Sequence, residues 1–512
     1  RREESWPLQL NMTFDGAETQ IQARLAELAQ LNLSVETDSD AETPYGGLLY
    51  LGVPSTDMRV RRLNPDEPGL DVIGHVEHLE YEAWADAIQS LPGASASVDS
   101  AQSRVESLVG SAALTIGTLD IYGEEITDLS LSVEKLPMRW NLGMVSEVIE
   151  GDIAIPTSGS EPWQVDLDHL ILRADEAEQN DAEPPGLAAG LEAAAAESQA
   201  QQLALDELPA VEYELPPEYP LASFDPRIIP DMNLQIDPVN VAGADFGNWR
   251  FNVTADGSGA LFRDLRMQLR GLQIGSEEEP AEFRWVYDGN THRSALNGII
   301  LAGDLAPVLS NFGYAPSLES SEARFDTRLH WDGSPAYFSA LAMSGDIDIN
   351  IQDGRFRQRA GVANSALRLI SFINFDALVR RLRFSDDLVR TGLSYDEISG
   401  RINLSQGIVT IEDRLQIIGA ASLFQIAGQI DLANQTIDGD LYITLPVSDN
   451  IPWLSGFAVL NNLINWQLAV GVFLVDQIFG DQVDDLTSAH YKLDGPWDGL
   501  EPELNQVFSS GS

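Results

Sequence analysis

One pattern constrains this chain more than any other: a one-sided hairpin written three times between Gly345 and Pro446. In Gly428–Pro446, Ile430 and Leu432 alternate with polar neighbours, Ala433-Asn434-Gln435 punctuate, and Ile437, Leu441, Ile443 and Leu445 resume the alternation. Gly345 to Ile351 carries Ile347, Ile349 and Ile351 at period two and turns at Gln352-Asp353-Gly354. Gly400 to Leu404 carries Ile402 and Leu404, turns at Ser405-Gln406-Gly407 and returns through Ile408 and Ile411. Period-two alternation puts one greasy and one wet face on each strand. A chain that repeats such hairpins must align its apolar faces, and the expectation is a mainly β fold: a long, twisted antiparallel sheet curled into an extended open groove.

The same style appears upstream. Leu8, Leu10 and Met12 alternate before Asp15-Gly16, and Leu114, Ile116, Leu119 and Ile121 face a returning Ile126, Leu129, Leu131 and Val133. Strand patterns resume after Met232 through Trp249, Phe251, Phe283 and Trp285, and 304–313 reads as a short helix. The chain thus divides into a β segment over 1–174, an acidic Ala/Pro-rich insertion or linker over 175–230, a second β segment over 231–354, and a C-terminal module over 355–512. The predicted lining of the apolar face is Leu114, Ile116, Leu129, Leu131, Ile347, Ile349, Ile351, Ile402, Leu404, Ile411, Phe424, Ile426, Ile430, Leu432, Leu441 and Ile443. The chain opens at Arg1 in mid-pattern and reads as the continuation of something longer.

Charge narrows the partners. Eighty acidic residues against 30 basic give a formal net charge of −50, which repels nucleic acid and anionic surfaces. One stretch reverses that sign: residues 355–390 hold eight arginines and three aspartates. With Leu369, Ile370, Ile373, Arg380, Arg381 and Arg383 it reads as amphipathic helix over about 361–384. Such a helix either lies on an anionic lipid surface or caps the sheet with its arginines paired to acidic neighbours. A second apolar stretch, about 446–480 with Trp453, Phe457 and Trp466, is interrupted by Asn and Asp. It suits a helical hairpin at a membrane interface or on protein better than a span.

Reactive chemistry is hard to find. The chain has no cysteine, so thiol catalysis, disulfides and zinc–thiolate sites are excluded. His75 and His78 are offset by three, which on a strand sends them to opposite faces. No nucleophile elbow, phosphate-binding glycine loop or zinc-protease motif is present, and no metal or cofactor is expected. A carbohydrate-active enzyme would need Trp249, Trp285 and Trp331 to converge with carboxylates, which strand spacing gives no reason to expect.

The C-terminal third carries a family likeness. Leu329-His330-Trp331-Asp332-Gly333-Ser334-Pro335, the run from Gly345 to Phe356, the Arg/Leu-rich stretch, Gly400-Arg401-Ile402-Asn403-Leu404, and Gly480 to Ser488 with Tyr491 and Gly495-Pro496-Trp497 occur in that order. This resembles the C-terminal region of the AsmA-like envelope proteins of Gram-negative bacteria, in their YhdP branch. The likeness is sharpest over about 325–500 and looser upstream, where Asn311 to Tyr314 is a further fragment. It implies an AsmA-like β-groove in the periplasm, anchored to the inner membrane by an upstream helix, with its C-terminus toward the outer membrane. It also implies a bridge that moves phospholipid between the two membranes, with no enzymatic step. At about 4.8 Å per strand such a groove would run on the order of 100 Å. Keeping about 16 methylenes out of water is worth roughly 12 kcal/mol. The rival reading is an envelope scaffold or adhesin, a β-solenoid whose apolar faces close on one another.

Overall fold

The computed structural model describes residues 7–16, 18–36, 45–52, 69–80, 109–121, 124–157, 161–172, 219, 221–241, 244–312, 316–337, 339–357, 394–419, 422–446, 486–496, 500 and 502–509. Nearly all of them are strand, and the chain divides into two compact units.

The first unit comprises residues 1–175 and 230–252. Its strands are β1 (Leu8–Asp15), β2 (Glu18–Leu25), β3 (Ala29–Glu36), β4 (Tyr45–Leu51), β5 (Gly69–Glu80), β6 (Val109–Ile121), β7 (Glu124–Lys135), β8 (Arg139–Val145), β9 (Ile149–Pro156), β10 (Trp163–Leu172) and β11 (Met232–Val241). Each pairs with the next, and no pairing among the described residues joins β1 back to β11. The ladder is open rather than a barrel.

The long sheet is mainly antiparallel, as expected, with three exceptions: β4–β5, β5–β6 and β10–β11 are parallel. Their connections, 52–68, 81–108 and 173–231, are the longest between these eleven strands. A parallel pair requires a connection that returns the chain to its starting end, which a two-residue turn cannot do. β12 (Ala244–Asp256) runs across the boundary at residue 252.

The second unit comprises residues 176–229 and 253–512. Its strands are β13 (Gly259–Leu269), β14 (Leu272–Ile274), β15 (Ala281–Tyr287), β16 (His292–Ala302), β17 (Leu318–Glu319), β18 (Glu322–Asp332), β19 (Met343–Phe356), β20 (Ser394–Ser405), β21 (Ile408–Gly419), β22 (Ser422–Asp431), β23 (Thr436–Pro446), β24 (Leu486–Pro496) and β25 (Glu503–Ser509). They pair antiparallel in the order β13, β15, β16, β18, β19 and then consecutively to β25. The short β14 bridges β13 and β16, and β17 pairs with β19. One helix, α1 (Leu305–Asn311), follows β16, where Asp304 caps the Ala306 N–H at 3.0 Å.

Two of the three hairpins form as written. Gln406 and Gly407 take φ of 47° and 79°, the positive pair that a two-residue turn with the strands' own twist demands. The turn after β22 occupies 432–435 and ends on Gln435 at φ 56°. The third is different: Gln352-Asp353-Gly354 is no turn. β19 runs through it to Phe356, and Asp353 absorbs a left-handed conformation (φ 46°) inside the strand. A short polar residue tolerates that region, so the sequence Gln-Asp-Gly is compatible with either outcome. β25 closes the described ladder on β24.

Candidate functional site

The feature that could do work is the apolar face, and cross-strand register defines it. In the first unit Leu10, Ala23, Leu31, Leu49, Val72, Ala112, Val133, Leu142, Ile153, Val165 and Leu234 are successive partners across eleven strands. No polar residue interrupts this row. Ten interstrand steps of about 4.8 Å make it roughly 48 Å long, measured along the ladder. From Ala23 to Ile153 its members are half-buried, and only Val165 among all eleven is fully covered. Leu114 and Leu131 belong to the adjacent row, between Gly74 and Met144. Ile116 and Leu129 pair one row further on and are buried in a cluster with Leu119.

The opposite face is polar. Asn11, Gln22, Asn32, Asp71, Ser111, Glu134, Asn141, Gln164 and Asn233 follow one another in register, with Leu48 and Ala154 interposed. Side chains bridge neighbouring strands there: Ser111 Oγ donates to Asp71 at 2.7 Å and Asn233 Nδ2 to Gln164 at 3.2 Å.

In the second unit the predicted lining residues fall on one face, in parallel rows. Ile347, Ile402 and Ile411 are consecutive partners, as are Leu404, Val409, Ile430 and Ile437. Ile349 lies beside Phe325 and Gly400, and Ile426 beside Leu415 and Leu441. Ile351, Ile398, Ile417, Phe424, Ile443 and Ala489 form the last row. Leu432 sits in the turn after β22, buried, its N–H donating to the Gly407 carbonyl at 2.8 Å.

Burial across that face is uneven, and the unevenness matters. The rows through Leu404 and through Ile351 are closed. Between them Ile300, Phe325, Ile347, Ile349, Ile402, Leu415 and Ile426 are only half-buried. The result is an accessible strip, two residues wide at β19 and β20, bracketed by core and closed at Thr327, Ile411 and Leu441. Glycines help to shape it. A Cβ on Gly428, at φ +130°, would stand 2.3 Å from the Asp438 carbonyl oxygen, so only glycine lets β22 approach β23 in this conformation.

The polar face of this unit carries paired charge. Arg401 binds Asp348 at 2.5 and 3.0 Å, Arg324 bridges Asp326 and Glu279, and Lys492 Nζ lies 2.6 Å from Asp438. The guanidinium of Arg324 holds the Asp326 carboxyl below the usual carboxylate range. Asp348, Asp326 and Asp438 thus lie on the face opposite the isoleucines. Trp285 and Trp331 lie on the apolar face of the second unit, whereas Trp249 packs in the first unit against the cluster of Val165, Leu167, Ile236 and Val239.

Of the basic stretch, the described residues include Arg355 and Arg357, and both pair with Glu319. Arg355 and then Arg357 depress the Glu319 carboxyl. Leu369, Ile370, Ile373, Arg380, Arg381, Arg383, Trp453, Phe457 and Trp466, and both predicted amphipathic helices, lie outside the described residues. Among the described residues no helix is long and apolar enough to cross a membrane, and no group of His, Asp and Glu could hold a metal ion.

Sequence reasoning missed one constellation. Tyr219, Phe224, Trp285, Tyr287, His292 and Tyr337 gather at one margin of the second unit's apolar face. Tyr219 and Phe224 come from the proline-rich stretch, where no periodicity flagged them.

A family model described as YhdP protein matches residues 1–499. No curated protein and no solved structure matches the chain.

Proposed function

The chain belongs to the YhdP family, AsmA-like proteins of the Gram-negative envelope, and from the unbroken apolar row of its first unit we propose that it shields phospholipid acyl chains during transfer between the inner and outer membranes. The observation that carries the proposal is the half-open row over eleven strands of the first unit, which has no polar break. An acyl chain laid along such a row keeps its methylenes from water at about 0.8 kcal/mol each. Sliding by one strand exchanges one apolar contact for a like one, so the net change per step is small. No residue performs a reaction; the wet outer face keeps the ladder dissolved. In this reading the protein works in the periplasm, and its partners are phospholipids and the two membranes.

The test is lipid uptake from phosphatidylethanolamine vesicles. The unaltered chain should extract lipid, and Val133→Asp, which sets a carboxylate in the middle of the row, should extract less while keeping its β-sheet circular dichroism. Equal uptake by both would sink the proposal. The fully buried rows of the second unit favour a second reading, a scaffold whose apolar faces meet only each other. That reading predicts no uptake by either protein.

A further inference from the structure

The aromatic constellation at the margin of the second unit has a defined inner side and outer side. Ala260, Trp285, Ser294, Trp331 and Met343 form a row on the same face as the half-open strip, nearer one end of the strands. Residues 221–229 cross this end. Phe224 stacks on Trp285 with centroids 5.5 Å apart and planes 22° apart, and Pro226 is buried in a single 3-10 turn. On the outside, Leu221 and Ile228 stay 47% and 62% exposed.

His292 fastens the segment. Its ring is fully buried and stacks on Tyr287 at 4.3 Å, with the Tyr219 ring edge-on at 6.1 Å. The Trp285 indole can only donate, and it donates to His292 Nδ1 at 3.0 Å. The ring proton therefore sits on Nε2, which donates to the Ala222 carbonyl at 2.9 Å. One histidine thus ties the sheet's own Trp285 to the backbone of the crossing segment. A second tie comes from Arg227, which holds Asp225 at 2.6 and 2.8 Å and lies 5.2 Å over the Tyr287 ring.

We infer that residues 221–229 are a fixed roof over the Trp285 end of this face, which excludes acyl chains from that end and confines them to the strip through Phe325 and Ile349. The inference rests on the lipid reading and adds to it a boundary, with Phe224, Trp285 and His292 as the residues that set it. Without the roof, Trp285 would be a second accessible apolar surface, beyond the closed row through Leu296 and Leu329.

Two measurements on the full chain test this. The first labels it with a phosphatidylethanolamine that carries a photoactivatable diazirine in its acyl chain and maps the adducts by mass spectrometry. Adducts are expected on Phe325 and Ile349 and absent from Trp285, which gains them in Phe224→Ala. The second, without lipid, follows hydroxyl-radical oxidation of Trp285: slow in the unaltered chain and severalfold faster in Phe224→Ala. Arg227→Ala, an exposed change that leaves no core cavity, should move both readouts the same way and guards against a folding failure of the first variant. Labelling of Trp285 in the unaltered chain, or oxidation there as fast as in the variants, overturns the roof and leaves the lipid reading intact. No adduct anywhere overturns both, since no chain is then bound to be confined.

Discussion

The division of the second unit's apolar face into closed rows and an open strip predicts that neighbouring aliphatic residues do different jobs. Leu441 has no exposed surface and sits between Ile426 and Tyr491. Truncation to alanine removes buried methylenes and leaves a cavity, a loss of about 2–5 kcal/mol. Ile349 is half-buried, and one of its two cross-strand neighbours is Gly400, which offers no side chain to pack against. Ile349→Ala should therefore lose roughly 1 kcal/mol, since about half of the transfer term and little cavity are involved. A ladder of many strands opens in sections, so hydrogen exchange resolved by strand is the suitable assay. Leu441→Ala should speed exchange in β22, β23 and β24 at least about fivefold more than Ile349→Ala does in β18, β19 and β20, because each 1.4 kcal/mol is a factor of ten. Lipid uptake should rank the sites the other way. A carboxylate at 349 would leave about four methylenes of a passing chain uncovered, roughly 3 kcal/mol, so Ile349→Asp should slow transfer about a hundredfold. If Ile349→Ala destabilises its strands as much as Leu441→Ala does, the strip is ordinary core and the reasoning fails.

Two further outcomes follow from the same physics. Burial pushes the Tyr395 hydroxyl above its usual value of 10.0, and this hydroxyl donates to the Glu319 carbonyl at 2.5 Å. Its neutral form is favoured in the fold, so its contribution is complete below the unfolded value and lost as pH rises through the folded one. Alkaline titration should loosen β17, β19 and β20 in the unaltered chain, and Tyr395→Phe should remove that step; an unchanged profile would refute the assignment. For the basic stretch, we propose a lipid-facing role beside capping: Arg380, Arg381 and Arg383 changed to Glu should weaken binding to anionic vesicles, and added salt should shrink the difference. Equal binding would leave capping alone.

Much of this fold is legible because strand alternation is a local signal. Ile347, Ile349 and Ile351 announce one face of β19 before any partner is known, and Gln406-Gly407 announces its turn. What stayed hidden was non-local. The parallel pairings β4–β5 and β5–β6 depend on where long connections deliver the next strand, and nothing in Gly69–Glu80 itself records that direction. Asp353 shows the limit of turn chemistry, since its left-handed φ is used inside a strand. The face of Ile402 could be read from its neighbours, yet whether it was closed like Leu404 or half-open could not, because exposure depends on what crosses above the sheet. For the same reason the partnership of Phe224 with Trp285, 61 positions apart, left no periodic trace.

Lipid held on these apolar rows would add its mass to the protein. Native mass spectrometry of the full chain after incubation with phosphatidylethanolamine vesicles tests it most directly. Mass increments of one or more intact phospholipids are expected, surviving gentle activation and diminishing in Val133→Asp and Ile349→Asp. A spectrum of bare protein under conditions where a control lipid carrier stays loaded would contradict it.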